Sequence, residues 1–235
     1  MQRFWEIDFL RGEAILMMAL FHFLWDLNYF GVIQVSLYSG FWGVFQKATA
    51  SLFLLLVGVV LTINYSRKND YTRDFVQRAA TVFGLGLAIT AATFIFLREE
   101  FIYFGILHLI GASILLSIPL VKRKWLSLIL GGTIIAVPIL YNLQSFAIFP
   151  LVWAGFAPPF TTLDFFPLIP WFGIVLIGIF IGNTLYENGV PKIVMKKPDL
   201  KIIGFVEVIG KNSLMIYFAH QFALFPLAYV ISLLI

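Results

Sequence analysis

Long apolar runs, separated by short charged or Pro/Gly-rich segments, fill most of this chain of 235 residues. A helix that crosses the hydrocarbon layer of a membrane needs about 20 apolar residues. The runs therefore predict an all-α fold, a polytopic membrane bundle of about seven helices that forms a single domain over residues 1–235. The predicted spans cover about residues 9–28, 48–65, 76–97, 102–121, 125–142, 167–186 and 213–234.

The composition agrees with a membrane-embedded chain, because 61% of the residues are hydrophobic and only 12% are charged, whereas a soluble domain has about 25% charged residues. The amino-terminal segment mixes acidic residues with its arginines and shows no small-residue cleavage site, so we expect mature sequence rather than a signal peptide. The sequence has no cysteine. Disulfides, thiolate metal sites and a cysteine nucleophile are thereby excluded.

Basic residues concentrate in alternate connecting segments. If the amino terminus lies inside, 14 of the 16 Lys and Arg residues are on the inner side, and only Lys47 and Arg98 are outside. The positive-inside rule then predicts an inside amino terminus and an outside carboxyl terminus. The membrane we expect is the cytoplasmic one. The formal charge of +4 reflects this topology, and nucleic acid is not an expected partner. The inner basic residues are Arg3, Arg11, Arg67, Lys68, Arg73, Arg78, Lys122, Arg123, Lys124, Lys192, Lys196, Lys197, Lys201 and Lys211.

Two long connections differ in character. Residues 143–166, predicted outside, contain no Lys or Arg and many aromatic side chains, which favours a loop at the depth of the lipid headgroups. Residues 187–211, predicted inside, are polar and basic and should lie on the cytoplasmic face. Gly178 and Gly182 form a GxxxG pattern, which predicts close helix packing.

The first predicted span carries polar residues on one side. At 100° per residue, a single helix face contains Asp8, Arg11, Ile15, Met18, His22 and Asp26. A charge in the bilayer core costs about 2.5 to 3.5 kcal/mol even on the mildest scale. This polar stripe is therefore expected to face the bundle interior or a wet cavity rather than lipid.

His22 and Asp26 allow two interpretations. In the structural one, Asp8 and Arg11 form an interfacial ion pair, and His22 is a packing residue hydrogen-bonded to Asp26 one turn further on. In the catalytic one, the Asp26 carboxylate orients the imidazole and stabilises its protonated form, which leaves the other ring nitrogen as a general base. The sequence leaves both open.

His108 is the second candidate. At 1.5 Å per residue, His22 lies roughly 20 Å from the inner edge and His108 roughly 9 Å below the outer edge of a layer about 30 Å thick, so both rings are predicted at a similar depth. His108 would complete the catalytic site or bind the acceptor. The structural alternative is a polar cap required by close helix approach at Gly105 and Gly111.

A shorter polar stripe begins the last span, where Ser213, Tyr217 and His220 share a face. At its start, Lys211, Asn212 and Ser213 combine a cation with helix N-terminal N–H groups, a setting that favours phosphate. A plain N-cap by Asn212 or Ser213 is the simpler alternative. The three histidines lack the spacing of a zinc motif, so no metal is expected.

Four segments carry a family likeness: "RFWEIDFLRGEAILMMALFH" (3–22), "GILHLIGASILLS" (105–117), "IPWFGIVLIGIFIGN" (169–183) and "IGKNSLMIYFAHQ" (209–221). In this order they resemble prokaryotic relatives of the heparan-alpha-glucosaminide N-acetyltransferase catalytic domain, within the broader transmembrane acyltransferase group. The resemblance implies transfer of an acetyl group from cytosolic acetyl-CoA, the co-substrate, to an amino sugar or a related group across the membrane.

The resemblance has one departure. In the animal lysosomal member the proposed active histidine lies in the lumenal loop before the second span, and the corresponding loop here, residues 28–47, has no histidine. That role is not carried over, which favours direct transfer with His22 as the base over an acetyl-histidine intermediate. The expected catalytic residues are His22, Asp26 and His108; the expected acetyl-CoA contacts are Asp8, Arg11, Lys211, Asn212 and Ser213; and the acceptor contacts are Tyr217 and His220.

Two other functions are compatible with the same residues. A proton-coupled transporter or a flippase for a lipid-linked sugar would also use intramembrane His and Asp, as a proton relay. A non-catalytic scaffold is the third possibility. The expected partners are the lipid bilayer, acetyl-CoA and a glycan or small-molecule acceptor, and a homo-oligomer is left open.

Overall fold

The computed structural model describes residues 3–67, 70–141, 145, 148–156 and 162–235. Their regular secondary structure is α-helical apart from short 3-10 helices and a two-stranded hairpin, and loops and turns connect these elements. The helices are α1 (Trp5–Tyr29), α2 (Gly40–Arg67), α3 (Tyr71–Leu97), α4 (Ile106–Ser117), α5 (Lys124–Leu140), α6 (Leu168–Leu185), α7 (Lys201–Lys211) and α8 (Ser213–Ser232). The hairpin pairs β1 (Tyr186–Glu187) with β2 (Val190–Pro191), and the 3-10 turns are Arg98–Glu100 and Phe149–Ala154.

Each predicted span corresponds to a helix, so the all-α expectation is confirmed. In the described part of the chain, α2, α3, α6 and α8 are long and apolar enough to cross a membrane. Polar side chains lower the hydropathy of α1, and α4 and α5 are shorter apolar helices. The chain is therefore a membrane protein, whereas the count of seven spans and the inside amino terminus stay predictions.

The helices differ from the predicted spans in several places. The predicted span 102–121 is a helix only over Ile106–Ser117, because Gly105 begins it and turns follow Ser117. The basic inner segment contains a helix, α7, that was not predicted. Three parts of these predictions lie outside the described residues: Lys68; residue 142, which ends the predicted span 125–142; and residues 143–144, 146–147 and 157–161 of the predicted outer loop.

By internal contacts the chain divides into two compact units, with the boundary inside α2. The terminal unit comprises Met1–Phe53 and Met195–Ile235, and the central unit comprises Leu54–Val194. The single-domain organisation stays a prediction.

In the terminal unit, α1 packs against α7 and α8. Two glycines bring α7 onto α1 at backbone distance. A Cβ atom on Gly210 would lie 1.7 Å from the carbonyl oxygen of Asp8, and one on Gly12 would lie 2.0 Å from that of Val206. Because the order of contacts reverses along α7, this helix runs antiparallel to α1, and the chain then turns at Asn212 so that α8 runs parallel to α1.

In the central unit, α3 packs on α4, and α5 packs on α6. The GxxxG pattern of α6 makes the predicted close contact. A Cβ on Gly178 would lie 2.3 Å from the carbonyl oxygen of Leu55, and one on Gly182 would lie 2.1 Å from the hydroxyl of Thr62. The small residues therefore set the distance between α6 and the second half of α2.

Candidate active site

The polar stripe of α1 is turned toward protein, as predicted. Asp8, Ile15, Met18 and Asp26 are buried, and His22 is half-buried. The first turns of the stripe contact α7, and the later turns contact α8. The stripe therefore divides into two groups, one at the start of α1 and one near its end, and Asp8 and His22 are about 21 Å apart along the helix.

His22 of α1 lies beside His220 of α8. The two ring centroids are 4.9 Å apart and the rings are inclined by 58°. His220 Nδ1 lies 2.5 Å from the carbonyl oxygen of Tyr217. A carbonyl oxygen only accepts hydrogen bonds, so Nδ1 carries the proton and the neutral ring keeps its lone pair on Nε2. The local turn of α8 thus fixes the tautomer of His220.

Asp26 is fully buried, and its hydrogen bond is not the predicted one. Gln221 Nε2 of α8 donates to Asp26 Oδ1 over 3.3 Å, whereas Oδ2 has no hydrogen-bond partner among the described residues. The expected hydrogen bond between His22 and Asp26 is therefore replaced by one between helices. Spacing along α1 places both residues on one face, but the Asp26 carboxylate reaches across to α8.

Unpaired hydrogen-bond acceptors collect between α1 and α8. In the described ranges, Asp26 Oδ2, His220 Nε2 and Gln221 Oε1 are buried and make no hydrogen bond to protein. Buried polar atoms without partners are uncommon and call for an explanation. Since these three atoms can all accept hydrogen bonds, the group they match is one that donates, such as an amine, a hydroxyl or a protonated imidazole.

A second group of charges lies where α1 begins. Arg11 Nη1 is 3.4 Å from Asp8 Oδ1, so the predicted ion pair is present. The Arg11 side chain is only 26% exposed. The backbone contact between Gly210 and Asp8 places this pair next to the junction of α7 and α8. The structure thus brings together the predicted acetyl-CoA contacts from both ends of the chain.

At that junction, Glu207 is buried and forms ion pairs with both Lys197 and Lys211. Hydrogen bonds from Lys197 and, to a smaller extent, from Lys211 lower the pKa of Glu207 below its usual value. Lys211, the predicted phosphate contact, therefore already has a protein partner, although its side chain is 36% exposed. Three cations and two carboxylates leave this corner of the terminal unit positively charged.

Asn212 and Ser213 act differently from a side-chain N-cap. Asn212 ends α7 and precedes α8, and its amide donates to the carbonyl oxygen of Val208 over 2.9 Å. The N-cap residue of α8 makes no side-chain cap hydrogen bond. The simple capping alternative is thus not what the structure has, because Asn212 completes the preceding helix instead.

His108 belongs to the central unit, and both of its ring nitrogens have partners. The backbone N–H of Gly105 donates to Nδ1 over 3.3 Å, so the ring proton is on Nε2. Nε2 lies 3.4 Å from the Thr90 hydroxyl, which donates to the carbonyl oxygen of Ile102 over 2.7 Å. This chain of hydrogen bonds matches the structural role that the sequence left open for His108, and its predicted catalytic role stays a prediction.

The start of α4 has a second cap. Asp164 Oδ2 accepts a hydrogen bond from the backbone N–H of Ile106 over 3.0 Å, and burial raises the pKa of Asp164 to about 6.

Next to His108 lies an apolar cavity of about 480 Å³, lined by Phe83, Leu87, Tyr103, Phe104, His108, Ala112, Leu115, Leu116, Trp153 and Leu168. His108 therefore borders an apolar space, with its own nitrogens turned to the protein.

Sequence reasoning missed Gln221, Glu207 and Asp164. Gln221 follows His220 and is rotated by 100° from the stripe that was considered, so only a pairing of α8 with α1 identifies it. Glu207 had a detectable signal, because it precedes Lys211 by four residues, a spacing that favours ion pairs on a helix. Asp164 caps a helix 58 residues away in sequence, and no local pattern indicates that contact.

The fold and the site together define a membrane-embedded protein with an imidazole pair inside a helical bundle. A family model described as the catalytic domain of heparan-alpha-glucosaminide N-acetyltransferase matches residues 3–222. The chain therefore belongs to this family, a family of transmembrane acetyltransferases, as the resemblance implied. Neither a curated protein nor a solved structure matches it.

Proposed function

We propose that the protein moves an acetyl group from cytosolic acetyl-CoA to an amino-sugar or hydroxyl acceptor at or beyond the outer face of the cytoplasmic membrane. Family membership supports the chemistry. The observation that supports this site is the His22–His220 pair, in which the Tyr217 carbonyl holds the proton on His220 Nδ1 and Nε2 is buried without a hydrogen-bond partner among the described residues.

The basic group at the start of α1 suits the phosphates of the donor. Arg11 and Lys211 are its expected contacts, with Asp8 holding Arg11 and Glu207 holding Lys211. Arginine forms charge-assisted hydrogen bonds with phosphate, which are about twice as strong as neutral ones. Asn212 and Ser213 stay candidates for further contacts with the donor, and the thioester would extend along α1 toward His22.

In the transfer step, the acceptor nitrogen or oxygen attacks the thioester carbonyl while His22 takes its proton. The bond between carbon and sulfur then breaks, and the leaving thiolate recovers the proton from the imidazolium, so the reaction yields the acetylated acceptor and CoA. His220 Nε2 accepts a hydrogen bond from the protonated His22, since a centroid separation of 4.9 Å allows two ring nitrogens to approach within hydrogen-bonding distance.

The Asp26 carboxylate lies one turn of α1 from His22, so its negative charge stabilises the imidazolium without a hydrogen bond between the two side chains. Gln221 holds the carboxylate by Oδ1, which leaves Oδ2 available to the acceptor's N–H or O–H. Tyr217 contributes the carbonyl that fixes the His220 tautomer. His108 lies in the central unit and both of its ring nitrogens already have partners, so the proposed transfer step gives it no role.

Calorimetry on the purified protein tests donor binding. We expect acetyl-CoA to bind and acetate alone not to bind. Replacing Arg11 with Gln should weaken acetyl-CoA binding by roughly tenfold or more, in line with a lost hydrogen bond to a charged group. Arg73→Gln is the matched control, because Arg73 is predicted on the same membrane side but lies in the first turn of α3. A folded protein that binds no acetyl-CoA would reject the proposed donor and favour the transporter alternative.

A reporter fused after Ile235 tests the topology. We expect it to be active only outside the cytoplasm, because the lysines and arginines concentrate in the predicted inner segments. A cytoplasmic reporter would reject the model of seven spans with an inside amino terminus. Transfer of labelled acetyl from acetyl-CoA to a panel of amino sugars and polyols then identifies the acceptor.

A further inference from the structure

We propose that Gln221 is a specificity residue of the candidate active site. Together with Asp26 it presents two hydrogen-bond acceptors to the substrate that receives the acetyl group, and it thereby selects a protonated primary amine over a hydroxyl. This inference rests on the proposed function, which allows either an amine or a hydroxyl to be acetylated. Both residues belong to the terminal unit.

The orientation of the Gln221 amide is fixed by its partner. Gln221 Nε2 lies 3.3 Å from Asp26 Oδ1. A carboxylate oxygen only accepts hydrogen bonds, so the nitrogen of the amide, rather than its oxygen, faces Asp26. The amide oxygen, Oε1, is therefore kept as an acceptor, and it is buried without a hydrogen-bond partner among the described residues.

The second acceptor is the other oxygen of the Asp26 carboxylate. Asp26 is fully buried, and its Oδ2 makes no hydrogen bond within the described part of the chain. None of the cations in the described ranges forms an ion pair with it. Because burying a carboxylate is costly unless it is paired and hydrogen-bonded, this pair of side chains matches a ligand that brings a positive charge and at least two donors.

Two contacts between helices place these oxygens beside the proposed base. His22 and Asp26 are separated by about 6 Å along α1, and His220 and Gln221 are neighbours on α8. The His22 and His220 rings are 4.9 Å apart, and Gln221 is hydrogen-bonded to Asp26. A substrate nitrogen that gives its proton to His22 can therefore also lie next to Asp26 Oδ2 and Gln221 Oε1.

The number of hydrogens separates the two kinds of substrate. A protonated primary amine carries three N–H groups, which match Asp26 Oδ2, Gln221 Oε1 and the His22 nitrogen that acts as the base. A hydroxyl has one hydrogen, and His22 requires it. Both buried oxygens would then face the lone pairs of the hydroxyl oxygen and stay unpaired, which weakens binding.

Transfer to the cation releases one proton more than transfer to a hydroxyl. The ammonium gives one proton to His22, and the neutral amine then attacks the thioester carbonyl. The bond between carbon and sulfur breaks, and the thiolate takes the proton from His22. The new amide nitrogen loses its extra proton through Asp26 Oδ2 to water. The products are the N-acetylated amine, CoA and one proton.

Binding of matched sugars without acetyl-CoA tests the site directly. The probes are glucosamine, glucose and N,N,N-trimethylglucosamine, titrated into the full-length protein in detergent and followed by calorimetry. We expect glucosamine to bind roughly 100-fold more tightly than glucose, since each of two charge-assisted hydrogen bonds contributes about tenfold or more. The trimethyl derivative keeps the charge but has no N–H, so it should bind no better than glucose. Equal binding of glucosamine and either other probe would overturn the inference.

Three variants test the role of Gln221. Gln221→Met keeps the length of the side chain but removes its oxygen and nitrogen, so the preference for glucosamine over glucose should fall roughly tenfold, and in acetyl transfer the KM for glucosamine should rise more than kcat falls. Gln221→Glu shares one proton with Asp26 and keeps an accepting oxygen, so it should retain most of the preference. Gln77→Met, which changes an exposed glutamine on α3, should behave like the wild type. An unchanged preference in Gln221→Met would overturn the inference.

The binding measurements also separate this inference from the proposed function. Selective binding of glucosamine that depends on Gln221, in a protein that transfers no acetyl group from acetyl-CoA, would support the amine site and reject the proposed function. Acetyl transfer with no preference for the amine would support the proposed function and reject the role of Gln221.

Discussion

Two histidines in this protein are each held by a backbone group at Nδ1, but in opposite senses. In the central unit, His108 Nδ1 accepts a hydrogen bond from the N–H of Gly105, so its ring proton is on Nε2. Nε2 then donates to the hydroxyl oxygen of Thr90. In the terminal unit, His220 Nδ1 donates to the carbonyl of Tyr217, and its bare Nε2 has no partner in the described chain. Both nitrogens of His108 have hydrogen-bond partners, whereas His220 has a buried nitrogen, Nε2, that can still accept a hydrogen bond.

The difference shows why burial and residue type do not identify a reactive group. Protonating His108 would break its hydrogen bond with Gly105, because a protonated nitrogen cannot accept. His220 can receive a proton or a hydrogen bond at Nε2 without losing any contact it has. The direction of one backbone hydrogen bond thus separates a structural histidine from one suited to proton transfer.

The largest expected effect is on the rate of acetyl transfer when the His22–His220 pair is changed. His22→Gln keeps a hydrogen-bonding side chain but removes the base, so acetyl transfer should fall by roughly 100-fold or more while the unfolding temperature changes little. His220→Gln should cost less, and the double variant should be no slower than His22→Gln alone, because His220 acts through His22. The measurements are initial rates of acetyl transfer and thermal unfolding on the same preparations.

Two results would contradict this assignment. A stable His22→Gln protein that transfers acetyl at the wild-type rate would remove the catalytic role of this pair. A loss of stability proportional to the loss of activity in both single variants would favour a packing role. Asp26→Asn should cost less activity than His22→Gln and should preserve acetyl-CoA binding, because Asp8 and Arg11 lie about 27 and about 22 Å from Asp26 along α1.

The next largest effect concerns the close packing of α7 on α1 in the terminal unit. Gly210→Ala places a Cβ against the backbone of Asp8, which cannot move like a flexible side chain. We expect a loss of about 3 kcal/mol in the free energy of unfolding, at the upper end for overpacking. Gly204→Ala on the same helix meets nothing within 4 Å and should be neutral or slightly stabilising, since alanine favours helix. Similar unfolding temperatures for the two variants would disprove the close contact.

The sequence carried information about the helices and about the α1 stripe, because both depend on local periodicity. Asp8, Arg11, His22 and Asp26 were identified from spacing alone, and their burial or half-burial agrees. Partners on other helices were not predictable in this way. Spacing paired Asp26 with His22, whereas the structure pairs it with Gln221, 195 residues away. Single-helix patterns give the face of a residue but not the atom it bonds.

His108 shows the same limit from the other side. Gly105 and Gly111 indicated close helix approach, and a Cβ on Gly111 would indeed lie 2.7 Å from the Cβ of Phe83 on α3. The tautomer depends on Gly105 and Thr90, and Thr90 is on another helix, α3. The sequence therefore raised the capping alternative for His108 but could not choose it over catalysis.

Replacing His108, whose two ring nitrogens both have partners, should lower the stability of the protein. His108→Leu removes the ring stacked on Phe104 and the acceptor for the Gly105 N–H, so we expect a loss of about 1–2 kcal/mol in the free energy of unfolding. Activity per folded molecule should stay close to that of the wild type. Thr90→Val should be non-additive with His108→Leu, because both remove the hydrogen bond between Thr90 and His108. A large drop in transfer rate with unchanged stability would instead establish the predicted catalytic role of His108.

The smallest effect isolates the carboxylate that shares the start of α4 with His108. Burial raises the pKa of Asp164 to about 6, above its value in the unfolded chain, so the folded state holds the proton more tightly. The associated stability is fully present below about pH 4 and is lost as the pH rises through about 6. Asp164→Asn keeps an oxygen that accepts from the N–H of Ile106 but cannot ionise, so it should flatten this part of the stability profile by about 1 kcal/mol. Unfolding midpoints between pH 4 and 8 measure it, with Asp199→Asn, an exposed carboxylate in the other unit, as the control. If Asp164→Asn and the wild type keep parallel profiles, this carboxylate titrates alike in the folded and unfolded chain, and the cap on α4 owes nothing to its protonation.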